Sequence, residues 1–407
     1  MKYLDILKQA LIWLLLIYYI YQFVIAFCAL IKLKEKPLLV NKKHKFMLVL
    51  PAHNEELVIK NLIESLKAQD YPEELYNIYV IADNCTDKTA AIAKECGALV
   101  YERFDEKNKT KGHALSWFLN KKIQENADYD AFCVFDADNI VDKNFLNAMN
   151  KKLCQGENVV QGYRDIKNPT DSWIASGYAL FYWMQNRFYH LARYKIGLSP
   201  LINGTGFMVR FDLIKPTGWN TKTLTEDIEF SLINIAQGRK LAWATDAIVY
   251  DEQPLTFMQS WTQRSRWTVG HMQCFKHYTK DLAHGVVENK TLMNFDGFLY
   301  IMCIPIFVVS IILTVINVIL YLASEMTFGV MIFSIIKYLG AAYLLTMMSG
   351  IMVLLIDKRP IKPMIKGLLC FPIFLASWAV INFKCLIKPN AKWDKIKHDR
   401  DVKIDQV

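Results

Sequence analysis

The chain has 407 residues, 53% of them hydrophobic, and its 48 basic and 39 acidic side chains give a formal net charge of +9. That composition excludes an ordinary soluble protein, and nine cysteines with no C-x-x-C pair exclude a disulfide framework and a zinc centre. No basic stripe with interleaved stacking aromatics crosses the middle of the chain, so the positive charge points to anionic lipid headgroups and away from nucleic acid.

From Ala10 to Ile31 only Gln22 is strongly polar. Roughly 22 residues at 1.5 Å each cover the hydrocarbon core of a bilayer, and the run is too long, and ends without small residues, for a cleaved signal. Lys32, Lys34, Lys36, Lys42, Lys43 and Lys45 then face a single Glu35, whereas the amino terminus carries Lys2 and Lys8 with Asp5. The positive-inside rule places that terminus outside and the following domain in the cytosol of a multi-pass cell-membrane protein. Further apolar runs at Phe298–Leu322, about Tyr338–Ile356 and Ile365–Ile387 form a C-terminal cluster. Lys358, Arg359, Lys362 and Lys366 mark its second connection as cytosolic, but three full spans would leave Lys388, Lys392, Lys395 and Lys397 outside. Either one run is re-entrant or the tail departs from the rule. The expected division is an anchor and basic linker over 1–44, a cytosolic domain over 45–258, amphipathic interfacial helices over 259–290, a membrane cluster over 291–390 and a basic tail over 391–407.

Within the cytosolic part, Phe46–Leu50 reads as a strand stopped by Pro51, and an amphipathic helix follows to about Gln69. Tyr76–Ala82 is a second strand, with Thr86 the expected N-cap of a helix closed by Gly97. Ala98–Tyr101 is a third strand. Lys111-Gly-His-Ala opens another helix, Ala131–Phe135 is a fourth strand, and Val159–Tyr163 follows a helix ended by Gly156. Strands alternating with helices predict an α/β fold with a mostly parallel sheet.

Ligands of such sheets bind at the carboxyl ends of the strands, which here read PAHNEE, DNCTD and DADN. The first lacks a glycine-rich fingerprint, so a nicotinamide or flavin enzyme is not indicated, and no P-loop or G-x-S-x-G supports a kinase or hydrolase. Asp136 and Asp138, one residue apart where the chain turns, can hold one Mg²⁺ or Mn²⁺ together with substrate phosphate; the plain alternative is an Asx turn. Gln263, Arg266 and Trp267 share one helical face just before the membrane cluster. A planar guanidinium suits a diphosphate and an indole suits the apolar face of a sugar, while an interfacial helix, with Arg264 at headgroups, is the alternative.

PAHNEE, DNCTD, KGHAL, DAD, LTED at Leu224–Asp227 and QRSRW at Gln263–Trp267 stand in the order and approximate spacing of membrane-embedded family 2 glycosyltransferases. Over Leu48 to about Tyr278 the chain resembles the bacterial group containing cellulose synthase, poly-N-acetylglucosamine synthase and hyaluronan synthase. The resemblance implies a GT-A-like nucleotide-sugar-binding domain flanked by transmembrane helices, a UDP-sugar donor, and a growing glycan or lipid as acceptor. It implies donor contacts from Ala52, Asn54, Glu55 near the ribose, Asp83 at the uracil, Asp136, Arg266, and Lys111 at the phosphates. Lys111 is otherwise a solvated helix start.

Asp227 is the candidate general base, removing the acceptor hydroxyl proton for inversion at the sugar, and Glu226 beside it is a second catalytic candidate or the acid of a capping box. Gly204 and Thr205 in the Asn203–Gly206 turn, with Gln263 and Trp267, are the expected acceptor contacts; the turn is otherwise a hairpin. His53, His113 and His271 are expected to be structural or local substrate contacts. The expected reaction is processive synthesis of a β-linked polysaccharide, with a homo-oligomer or accessory subunit completing the channel. Transfer of one sugar to a membrane lipid is the second expectation, and a transporter that only senses nucleotide sugar is the third.

Overall fold

Eight strands come together as a single sheet in the computed structural model, which describes residues 2–32, 36–322 and 328–389. They are β1 (Phe46–Ala52), β2 (Tyr76–Asp83), β3 (Leu99–Arg103), β4 (Ala131–Val134), β5 (Ile140–Val141), β6 (Val159–Ile166), β7 (Phe207–Arg210) and β8 (Ala242–Asp251), in the order β3-β2-β1-β4-β7-β6-β8-β5. The pairings β2–β3, β1–β2, β1–β4 and β6–β8 are parallel, and those made by β7 and β5 are antiparallel. The expected α/β sheet is thus mixed and mostly parallel. β5 and β7 are too short for a periodicity to show, and β8 is broken by a bulge at residues 245–247, where Gly162 pairs with Ala244 but Tyr163 with Ile248. The carbonyl of Ala247 lies 2.5 Å from where a Cβ on Gly162 would sit, so only glycine lets the bulge approach.

The helices are α1 (Lys2–Phe27), α2 (Ile59–Lys67), α3 (Thr89–Glu95), α4 (Lys111–Gln124), α5 (Phe145–Cys154), α6 (Trp173–Met184), α7 (Ala192–Lys195), α8 (Phe211–Ile214), α9 (Glu226–Ala236), α10 (Phe257–Asn289), α11 (Leu292–Ile301), α12 (Cys303–Leu322), α13 (Phe328–Ile356) and α14 (Ile365–Ile387), with a π-helical stretch at Gln185–Leu191. The two sheet faces carry separate cores, one with Leu48, Leu50 and Phe145, the other with Val49, Phe118 and Trp219. Thr86 does not cap α3. The helix begins at Thr89, whose N–H and hydroxyl both bond to the Asp87 carboxylate, while the Thr86 N–H donates to Asn54 Oδ1.

Among the described residues four helices are long and apolar enough to cross a membrane, at Tyr3–Leu30, Cys303–Leu322, Gly329–Ile356 and Lys362–Ile387. Among the described residues α12, α13 and α14 are each a single helix of spanning length, and the run expected from Phe298 starts in α11 and breaks at Met302. Lys34, Glu35 and the tail lysines 392, 395 and 397 lie outside those residues.

The sheet domain is bolted to the long apolar helices. α6 packs on α14 so closely that a Cβ on Gly367 would stand 2.2 Å from Ser176 Cβ. The α13–α14 connection lies on the domain's side of the spans, held by Arg359 to Asp165 at 2.7 Å and Arg187 Nε to Asp357 at 2.6 Å. Gln22, the polar exception in the first span, accepts from Arg193 at 2.8 Å, and Arg193 is paired with Asp296 of α11 at 2.8 Å. Arg264 is fully buried, donating to the Phe374 carbonyl at 3.0 Å and Ser377 Oγ at 2.9 Å, so it joins α10 to α14 and is not at the headgroups.

Candidate active site

Because β1, β2 and β4 run in parallel, their carboxyl ends deliver Ala52-His53, Asp83-Asn84 and Asp136–Asp138 to one edge of the sheet. β7 runs the other way, so the Asn203–Gly206 loop preceding it arrives at that same edge. β6 and β8 bring Arg164 and Asp251-Glu252 there from their own carboxyl ends. The result is a cavity of about 780 Å³ that runs from the sheet edge past α9 and α10 to the beginning of α12 and the end of α14. Its wall includes Ala52, Glu55, Asp83, Lys111, Asp136, Asp138, Gly204, Glu226, Asp227, Gln263, Arg266 and Trp267.

Two of the expected site residues stand behind the wall. Asn54 has φ +57° and holds the Thr86 N–H at 2.7 Å, tying the first two strand ends together. Thr205 is fully buried, and its hydroxyl accepts from the Asp136 N–H at 3.0 Å and donates to Asn139 Oδ1. Both shape loops that carry other candidates. Asp83 is buried and bonded by Arg103 at 2.6 Å, with the Asn84 amide at 3.1 Å. His53 Nδ1 sits 2.7 Å from the Asp83 carbonyl oxygen, His113 bonds the α4 N-cap Thr110, and His271 lines the cavity with Nε2 3.1 Å from Cys303 Sγ.

Lys111 is no solvated helix start. Its ammonium donates to Asp136 Oδ1 and to the Gly204 carbonyl, both at 2.5 Å, and lies 3.9 Å from Glu226 Oε1. Burial works against the charged ammonium, but the Asp136 and Glu226 carboxylates outweigh it and hold its pKa above the ordinary lysine value. Glu226 is the first residue of α9 and makes no capping box, since the N-cap Thr225 receives no side-chain bond. Glu229, one turn on, instead ties down the preceding loop, accepting from the N–H groups of Lys222 and Thr223 at 2.7 and 2.6 Å. Burial pushes the carboxyls of both Glu226 and Asp227 above the usual carboxylate range, with Lys111 opposing the rise in each.

Glycines set these distances. Gly204 has φ +80°, a conformation that favours glycine, and a Cβ there would lie 3.3 Å from Asp227 Oδ2, a tight contact that the carboxylate would have to yield to. On α10 a Cβ at Gly270 would lie 2.5 Å from Thr225 Cγ2, so the long helix presses directly on the segment presenting Glu226 and Asp227.

Reading the sequence missed Arg164, Asp251, Gln185, Tyr300 and Trp378, all in the cavity wall. Arg164 bonds Asp251 through Nε at 3.0 Å and the Asn203 carbonyl at 2.9 Å, and its guanidinium stacks over Tyr182 at 4.3 Å. Burial raises the Asp251 carboxyl, Arg164 opposes this, and the nearby Asp138 and Asp136 add to the rise. Reading Ile248–Tyr250 as a strand would have exposed Asp251-Glu252 as a fourth acidic strand end. Tyr300 and Trp378 carry no local signal, since each is an aromatic in an apolar helix.

Among the described residues no three His, Cys, Asp or Glu side chains form a closed metal cage. The donor set fits a hard divalent cation of the other kind, held by the Asp136 and Asp138 carboxylates and completed by phosphate oxygens and water. The mutual repulsion that Asp136 and Asp138 impose on Asp251 marks an excess of negative charge at that spot.

Residues 44–270 match the model of the family described as glycosyltransferase like family 2. The chain is similar to the probable glycosyltransferase YdaM of Bacillus subtilis, 30% identical over 240 residues that cover 56% of this chain and 55% of that protein. It is also similar to the poly-beta-1,6-N-acetyl-D-glucosamine synthase of Staphylococcus epidermidis, 24% identical over 378 residues and 87% of each chain. The chain thus spans about half the length of the Bacillus relative and most of the Staphylococcus one. In fold it resembles the mannosyltransferase PcManGT from Pyrobaculum calidifontis, solved with GDP-Man and Mn²⁺, with a TM-score of 0.60 at 17% identity over 93% of this chain and 99% of that one. A GT-A-like domain with the carboxylates of three strand ends and one helix start around a single cleft, matched over more than half its length, makes this chain a member of glycosyltransferase family 2.

Proposed function

We propose that the protein transfers a sugar, with inversion, from a UDP-sugar to a hydroxyl of a glycan held at the cytosolic membrane face, extending a β-linked polysaccharide. The observation that carries the reading is the placement of Asp136, Asp138, Lys111, Glu226 and Asp227 around one cavity that continues between membrane helices. Asp227 takes the proton of the acceptor hydroxyl as that oxygen attacks the anomeric carbon from the face opposite the departing diphosphate. Gly204 leaves room beside it, Glu226 lies 3.9 Å from the Lys111 ammonium, and Lys111 and Arg266 meet the negative charge that grows on the diphosphate. Asp83, Glu55 and the backbone at Ala52 hold the nucleoside, with Asn54 shaping that loop and Thr205 the Asp136 turn. Asp136 and Asp138 would hold Mg²⁺ or Mn²⁺, which supplies further charge neutralisation at the diphosphate. Similarity over 87% of a poly-N-acetylglucosamine synthase supports a polymer product, and the four spans support residence in the cell membrane.

Single transfer to a lipid is the second reading. α12 packs on α1 while α14 packs on α6, α13 and α10, and the end of the cavity between them is lined by the apolar Ile304, Phe307 and Leu386. The test is to incubate membranes with UDP-glucose, UDP-N-acetylglucosamine, UDP-galactose and GDP-mannose, with Mg²⁺ or Mn²⁺, and to size the labelled product. A polymer is expected, one sugar on a lipid selects the second reading, and no turnover of any nucleotide sugar overturns both.

A further inference from the structure

The turn from Asp136 to Asn139 is held at both ends by side chains. At its start the Asp136 N–H donates to Thr205 Oγ1 at 3.0 Å and to Asn139 Oδ1 at 3.2 Å. At its far end the Asp138 carbonyl accepts from Lys167 Nζ at 2.8 Å. Lys167 directly follows β6, and its N–H donates to the Asp251 carbonyl at 3.0 Å, carrying the β6–β8 ladder one step further. β8 pairs in turn with β5, which begins where the turn ends, so the lysine reaches past the end of β8 to grip the turn.

The Lys167 side chain is 2% exposed, and its ammonium also pairs at 2.9 Å with Glu252, an 8% exposed side chain of the cavity wall. Such a pair is a poor source of stability, because desolvating both charges cancels most of their attraction and apolar side chains would fill the space as well. Apolar side chains could not hold a carbonyl. Fixing the Asp138 carbonyl fixes the peptide plane that follows it, and with that plane the direction in which the backbone presents the Asp138 carboxylate. Because Glu252 neutralises the ammonium, the grip brings no net positive charge to the place where Asp136 and Asp138 would hold a cation.

We infer that Lys167, with Glu252 as its counter-ion, is a positioning residue for the cation-binding turn. It acts on a divalent ion through the Asp138 backbone, as groups behind metal ligands commonly do, and touches neither the ion nor the sugar nucleotide. This role rests on the glycosyltransferase and cation reading above and falls to a residue that no motif in the sequence marks.

The full chain in nanodiscs is filtered with labelled UDP at a series of buffered free Mn²⁺ concentrations, and the concentration giving half-maximal UDP retention is recorded. The native chain is compared with Lys167→Met and Lys167→Gln, each combined with Glu252→Gln so that the net charge at the turn is unchanged. Methionine has no donor, and the glutamine amide sits one atom closer to the backbone than the ammonium and falls short of the carbonyl. Each variant should need about tenfold more Mn²⁺, and turnover should return toward the native value once Mn²⁺ is raised by that factor. A defect in folding alone would not be restored in this way. Native Mn²⁺ dependence in either variant, or UDP retention and turnover that no Mn²⁺ concentration restores, overturns the positioning role. A native chain that retains UDP equally well without Mn²⁺ overturns the cation reading, and one that retains no UDP overturns the donor reading.

Discussion

Gly270 lies on α10, outside the carboxylate cluster, yet its replacement by alanine should cost activity far out of proportion to stability. A Cβ there would meet Thr225 at 2.5 Å (Cγ2) and 2.6 Å (Oγ1), and ordinary contact needs roughly 3.5–4.0 Å. The helix gains about 1 kcal/mol from losing a glycine, and overpacking costs about 1–3 kcal/mol, so the folded state loses at most about 2 kcal/mol. The clash is relieved by moving Thr225, which carries Glu226 and Asp227 behind it, by about 1 Å. A misplacement of that size at a reacting group lowers kcat on the order of a hundredfold. Turnover at saturating UDP-sugar and the thermal midpoint are measured for Gly270→Ala, Thr225→Ala and the double variant. Thr225→Ala removes both offending atoms, so the double variant should regain most of the lost turnover. Independent, additive losses, or full turnover in Gly270→Ala, would refute the idea that α10 sets the position of Asp227.

Asp227→Asn should lower kcat by roughly 10²–10⁴-fold with UDP affinity retained, as a competition assay with UDP would show. Since burial raises the Asp227 carboxyl, the acid limb of the kcat profile should fall above the ordinary carboxylate range, activity dropping as protons return to the base. Glu226 has the same sign: from about pH 4.5, its ordinary value, up to its raised one, the folded chain holds a proton that the unfolded chain has released. Stability therefore declines as pH rises through that window, and Glu226→Gln should flatten the decline in a series of thermal melts. Arg164→Met leaves buried Asp251 beside Asp136 and Asp138 with its guanidinium partner gone, a loss on the order of 3–5 kcal/mol by denaturant unfolding, and Asp251→Asn in the same chain should recover part of it. Arg264→Lys loses the planar guanidinium that lies over the Phe374 and Trp378 rings while bonding the Phe374 carbonyl and Ser377, and should lower the thermal midpoint in detergent; a headgroup arginine would tolerate the change.

Local sequence was informative wherever one segment carries its own signal. The strands at Phe46, Tyr76 and Ala131, the four apolar helices, and the acidic groups at Asp83, Asp136–Asp138 and Glu226-Asp227 all follow from periodicity, turn residues and motifs within about ten positions. It was silent where a residue's meaning depends on a distant partner. Arg264 reads as an interfacial arginine until α14 is seen to offer the Phe374 carbonyl, and Gln22 reads as a flaw in a span until Arg193 is seen beside it. Glu226 reads as a capping acid because spacing alone cannot show that the helix starts at Glu226 itself, behind an N-cap Thr225 that receives no side-chain bond.

The chain order of hydrophobic and acidic residues by itself determined the fold class, the membrane character and most of the groups at the sheet end of the cleft, because a parallel sheet sends the carboxyl ends of its strands to one edge whatever the loops do. Only the tertiary structure decided that the antiparallel β7 returns Gly204 to Asp227, that Arg164 and Asp251 close the same wall, and that Gln185 and Trp378 extend it between the spans. Those placements come from pairings between segments far apart in the chain, where the packing of whole helices and strands, and no local preference, fixes which side chains meet.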